Sequence, residues 1–116
     1  MPALARSLLA ITFVAFSGAA LAAGSSAPYA PDPGLRTDTP AQLTARIRRA
    51  CSATQARIQN VSTGQVERGC GCYATRVMRS LTPPEVEAYR MTGVFNDTAR
   101  GKAISAIDAC RLQRPV

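Results

Sequence analysis

A chain of 116 residues has room for one domain, and this one sets 14 basic residues against 7 acidic ones, with no histidine. Without histidine it lacks the commonest general base, nucleophile activator and zinc ligand, so a hydrolase or transferase is not expected. A formal net charge of +7 favours acidic partners and is silent about fold.

The first segment reads as a leader. Arg6 is the one charge before Asp32, Leu8 to Phe16 form an apolar run, and small residues follow, Gly18-Ala19-Ala20-Leu21-Ala22. A basic start, a short apolar middle and an A-x-A ending define a cleavable signal peptide, here residues 1–22 with the cut before Ala23. The run is shorter than the roughly 20 apolar residues of a membrane span, so no stable membrane insertion is expected after cleavage. No cysteine follows the run closely enough to carry a lipid. The expected address is the periplasm, or the medium by secretion.

Residues 23–37 are rich in Pro, Gly and Ser, with prolines at 28, 31 and 33. They read as a flexible, non-helical linker. The domain proper is expected over 38–114. Thr39 suits an N-cap, Pro40 the first helical position and Gln42 the capping box. Leu43, Ile47, Ala50, Cys51, Thr54 and Ile58 then recur at helical spacing, which predicts a helix over 40–59. After a turn at 60–64, Val66, Cys70, Tyr73, Ala74, Val77, Met78 and Leu81 mark a second helix. Gly69 and Gly71 disfavour its first turns, so its start is expected late, near Gly71. Leu81-Thr82-Pro83-Pro84-Glu85-Val86 carries a cap, a first-turn proline, a capping-box glutamate and a hydrophobic staple. That predicts a third helix over 83–91, stopped at Gly93. Val94 and Phe95 are expected to plug the core. Asn96 or Asp97 would cap a last helix over 97–112, with Ala103, Ile107 and Cys110 inward and Ile104 beside them. No stretch alternates with period two, so the fold class is all-α: a small disulfide-stapled bundle of about four helices.

All four cysteines, Cys51, Cys70, Cys72 and Cys110, lie beyond the leader. An even count in a short exported chain reads as two disulfides, which a thin core needs. Cys70 and Cys72 point about 200° apart on a helix, so each must staple a different neighbour. Folding the first two helices about residue 61 or 62 brings Cys51 level with Cys72. The expected pairing is therefore Cys51–Cys72 with Cys70–Cys110, and the alternative is Cys51–Cys70 with Cys72–Cys110. A redox or soft-metal reading of the same pair would use thiols beside Arg68, Arg76 and Arg79, with Met78 and Met91 as further copper ligands. It needs free thiols in an oxidising compartment, and structural staples are the simpler expectation. No catalytic, cofactor-binding or metal set is otherwise visible.

Arg68, Arg76 and Arg79 share the face of the second helix that carries Cys72, away from its apolar stripe. They are the candidate partner-binding residues. Aromatic residues are too few for a nucleic-acid stacking platform, so no nucleic-acid partner is expected.

The order of a lone cysteine on the first helix, Cys70-Gly71-Cys72-Tyr73-Ala74, Leu81-Thr82-Pro83-Pro84-Glu85, Gly93 and Ala109-Cys110 resembles small exported four-cysteine helical proteins of Gram-negative bacteria. The resemblance spans residues 40–112. It implies a structural, disulfide role for the cysteines and a periplasmic address, and it implies no activity. The functional expectation is a disulfide-stabilised binding or accessory module for another periplasmic or envelope protein. The alternatives are thiol-disulfide or copper handling by the CxC pair, and a cationic membrane-active protein. The last expects arginines gathered on one amphipathic helix, whereas here they are scattered over four.

Overall fold

The computed structural model describes residues 30–115; the expected signal peptide and the first residues of the expected linker lie outside them. Four α-helices follow one 3-10 turn: α1 (Pro40–Gln59), α2 (Thr63–Ser80), α3 (Pro83–Thr92) and α4 (Asp97–Ala109). Among the described residues there is no strand, and the all-α bundle is as the periodicity implies.

Each helix starts where a side chain satisfies its free amides. Thr39 accepts from the Gln42 amide, and Gln42 Oε1 accepts from the Thr39 amide at 2.7 Å. Thr82 and Glu85 form the same reciprocal box. Asn96, rather than Asp97, caps α4 by accepting from the Ala99 amide at 3.0 Å. α1 ends on Asn60 in the left-handed region (φ 54) and α3 on Gly93 (φ 73), conformations that asparagine and glycine enter most readily.

Two boundaries differ from the sequence expectation. α2 begins at Thr63, not near Gly71, because Gln65 Oε1 accepts from the Ser62 amide and the whole helix lies along α1. Gly69 has a packing reason to be there: a Cβ on it would stand 2.7 Å from Leu112 Cδ2. α4 stops at Ala109, three residues short of the expected end. Arg111 takes a positive φ of 55 and the chain turns back, with the Leu112 amide donating to the Ile107 carbonyl.

The linker expectation also needs correction at its C-terminal end. Pro33–Arg36 is a 3-10 turn capped by Asp32, and Leu35 within it is only 4 % exposed. A proline suits the first position of such a turn, since its missing amide proton is not needed there. Two arginines clamp the turn from the helices. Arg46 pairs with Asp32 and Asp38, and Arg90 Nη1 donates to the carbonyls of Leu35 and Asp38. Residues 32–38 are therefore packed against the helices rather than free of them.

The core runs along the α1–α2 seam and under α4. Leu43, Cys70, Ala74, Val77 and Ala99 are fully buried, with Ile47, Val66, Ala103, Ala106 and Ile107 nearly so. Phe95 packs on the Val77–Ala103–Ala106 cluster, as expected of a plug, but Val94 is 56 % exposed. Ala50 and Ile104 are exposed as well, because α1 and α4 each present a narrower face to the core than their apolar stripes suggest.

Candidate functional site

The structure joins Cys51 to Cys70 and Cys72 to Cys110, with Cα–Cα separations of 5.5 and 5.8 Å. This is the alternative pairing and not the one expected first. Level alone does not choose the partner of Cys51, since α1 ends at Gln59 and α2 begins at Thr63. Facing chooses it. The apolar stripe of α2, on which Cys70 lies with Val66, Ala74 and Val77, is the stripe buried in the core. Cys72 points the other way and meets α4 instead. The two staples sit in different surroundings: Cys70 is fully buried and Cys51 nearly so, while Cys72 and Cys110 are half-buried. No cysteine is left free, so this oxidised form offers no thiolate to a soft metal.

On the Cys72 side, a cleft of about 450 Å³ lies between α2 and α4. It is lined by Arg76, Arg79 and Ser80 from α2 and by Lys102, Ser105, Ala106 and Ala109 from α4. Two of the three candidate arginines therefore come together there, joined by Lys102. Arg68 is exposed on the same helix but does not line the cleft. Lys102 was not foreseen, since nothing in the sequence around it marks an inward lysine. It reaches across to α3, donating to Glu85 Oε1 at 2.5 Å and to the Ser80 carbonyl at 2.8 Å.

Glu85, assigned from sequence to capping alone, turns out to be a buried ion-pair partner, 5 % exposed. Lys102 and the Thr82 hydroxyl, bonded to its carboxylate, hold its pKa at about 2. With Lys102 so engaged, Arg76 and Arg79 carry the unbalanced charge of the cleft. Among the described residues neither has a side-chain ion pair.

A second concavity, of about 320 Å³, opens beside Cys51. Tyr89 and Phe95 stack in its wall with ring centroids 5.0 Å apart, and Tyr73, Val94, Ile107 and Pro115 complete it. Burial pushes the Tyr73 hydroxyl above its ordinary pKa. Pro115 is held nearby because Gln55, 3 % exposed, pins the chain before it. Gln55 Nε2 donates to the Gln113 carbonyl at 2.7 Å, and its Oε1 accepts from the Gln113 amide at 3.1 Å. Neither Gln55 nor this tail was visible as structural in the sequence, because a glutamine on a mixed helix face carries no signal of inward placement.

No helix among the described residues is long and apolar enough to cross a membrane. Comparison with protein-family models, with curated proteins and with solved structures finds no match to this chain.

Proposed function

We propose that this chain is an exported, disulfide-stabilised binding module that docks another periplasmic or envelope protein through the α2–α4 cleft. The observation that carries the reading is the pair Arg76 and Arg79 standing over a cleft with no acidic partner. Unpaired arginines at the edge of a concavity offer planar, multiply donating charge to incoming carboxylates. Export is supported by the leader at residues 1–22 and by two disulfides, which persist where the surroundings are oxidising. The thiol-handling alternative has less support, because all four sulfurs are engaged in staples that each join two different helices.

The reading is tested by in-cell cross-linking. A photo-reactive residue is placed at Ser105, in the wild type and in Arg76→Glu/Arg79→Glu. A discrete cross-linked partner that disappears in the double variant supports docking at the cleft. Cross-links of equal yield from both, or none from either, defeat it. N-terminal sequencing of the purified protein should start at Ala23, and a start at Met1 removes the export half of the proposal.

A further inference from the structure

The basic surface on the α2–α4 side is longer than the cleft itself. Arg68 lies eleven residues before Arg79, a span of about 16 Å along the helix axis. At the Arg68 end, Gly69 abuts the turn after α4: its missing Cβ would lie 3.8 Å from the Cys110 carbonyl and against Leu112. Arg111, between those two residues, is exposed. A strip thus runs from Arg68 and Arg111, past the Cys72–Cys110 disulfide, to Arg76 and Arg79. None of these four arginines has a side-chain ion pair among the described residues.

None of the chain's seven acidic residues pairs with these four arginines. Asp32 and Asp38 are held by Arg46, Asp97 by Arg100, Asp108 by Arg114 and Glu85 by Lys102. Glu67 lines a shallow depression with Arg48 and Arg49 on the α1 side. Glu87 is exposed on α3. The four arginines of the strip are therefore left without an acidic partner among the described residues.

Resting on the docking reading above, we infer that the strip receives an extended acidic segment of the partner, laid lengthwise along the α2–α4 seam. An extended chain advances about 3.3 Å per residue, so roughly five residues cover the distance from Arg68 to Arg79. Carboxylates near one end of such a segment then meet Arg68 and Arg111, and those about four residues further on, roughly 12 Å along the helix, meet Arg76 and Arg79. The lining argues against other anions. No large apolar side chain lines the cleft to insert between lipids, as a membrane-binding face requires. No aromatic ring lines it on which a nucleobase would stack. The lining is small and polar or basic, alanine and serine with arginine and lysine, which suits a narrow polar chain.

The test uses the full mature chain and a fluorescein-labelled octapeptide of alternating glutamate and serine. Binding is followed by anisotropy and mapped by amide chemical shifts. The expected result is shifts concentrated at Arg68, Arg76, Ser105 and Ala109, with affinity that falls steeply with added salt. Arg76→Glu/Arg79→Glu should weaken binding by about tenfold or more, and Arg57→Glu on α1 should leave it unchanged. Circular dichroism and the absence of reactive thiols show that each variant is folded.

No binding, shifts spread over α1, or equal losses from Arg57→Glu overturn the inference. So does seam-dependent binding to phosphatidylglycerol vesicles without binding to the peptide, which would assign the strip to a lipid surface. If the peptide fails while the in-cell cross-link still depends on Arg76 and Arg79, the acidic-segment inference falls and the docking reading stands. If the cross-link is indifferent to those arginines, both fall.

Discussion

Glu85 shows how one side chain ties local structure to tertiary structure. Its Oε1 accepts from the Thr82 amide, the Thr82 hydroxyl and Lys102 Nζ, so the residue that starts α3 also fastens α4 to it. Its folded-state pKa of about 2 lies below the ordinary 4.5. A depressed carboxylate contributes stability that is fully present above the unfolded value and is lost as the pH falls through the folded one. Unfolding midpoints should therefore hold steady down to about pH 5 and decline between 4.5 and about 2. Glu85→Gln keeps an oxygen for the cap but removes the charge, so it should be less stable at neutral pH and flatter across that window. Urea titrations of both proteins from pH 7 to pH 2 decide the matter; parallel curves would mean the ion pair does not govern the acid limb. Gln55 is the second such residue. Gln55→Ala removes both bonds to Gln113 and should cost about 1 kcal/mol. The specific sign is fast hydrogen exchange at the Gln113 amide while the amides of Cys70 and Ala74 stay protected.

At the scale of elements, the starts of α1 and α3 are the most legible part of the sequence, because a cap is a short, directional pattern with one physical purpose. Thr39-Pro40 and Thr82-Pro83 placed α1 and α3 within a residue of their true starts. Thr82→Ala should lower stability by about 1 kcal/mol in a urea melt, whereas Thr82→Ser, which keeps the hydroxyl, should be near neutral. What stayed hidden were features whose cause lies in another element. Glycine propensity predicts a late start for α2 because it is a local penalty, and the helix's contact with α1 outweighs it. The 3-10 turn at Pro33–Arg36 has the composition of a linker, and its anchors, Arg46 and Arg90, sit outside it on α1 and α3. Ala99 and Ala106 are buried in the core although neither is among Ala103, Ile107 and Cys110, the residues that the spacing marks as inward, because α4 buries the alanine side of that stripe and leaves Ile104 exposed. For the candidate site, the sequence supplied Arg76 and Arg79 through their shared face with Cys72. It could not supply Lys102, whose place depends on the angle between α2 and α4.

Across the whole molecule, the two disulfides divide the work unequally, and the division can be measured. Loop-closure entropy favours Cys72–Cys110, which closes 38 residues against 19 for Cys51–Cys70. On that ground alone the contributions are about 4 and about 3 kcal/mol. Packing acts the other way. Cys70 is completely buried and Cys51 nearly so, between helices that hold most of the core, so replacing both by alanine also opens a cavity among close-packed neighbours. The half-buried Cys72 and Cys110 leave a gap that water can enter. The cavity term, about 2 kcal/mol for two lost sulfurs, exceeds the loop-length difference. Cys51→Ala/Cys70→Ala should therefore be the less stable double variant in urea, despite its shorter loop. Access gives the same order kinetically. Limited dithiothreitol followed by alkylation and peptide mapping should label Cys72 and Cys110 before Cys51 and Cys70, since exchange requires a thiolate to reach a sulfur. The intermediate with only Cys51–Cys70 intact should keep its α1–α2 helical signal yet lose the geometry of the α2–α4 cleft, because the staple that fixes the spacing of its two walls is gone. Labelling of all four cysteines at once, or of the buried pair first, would show that the bundle opens globally before either bond is reached.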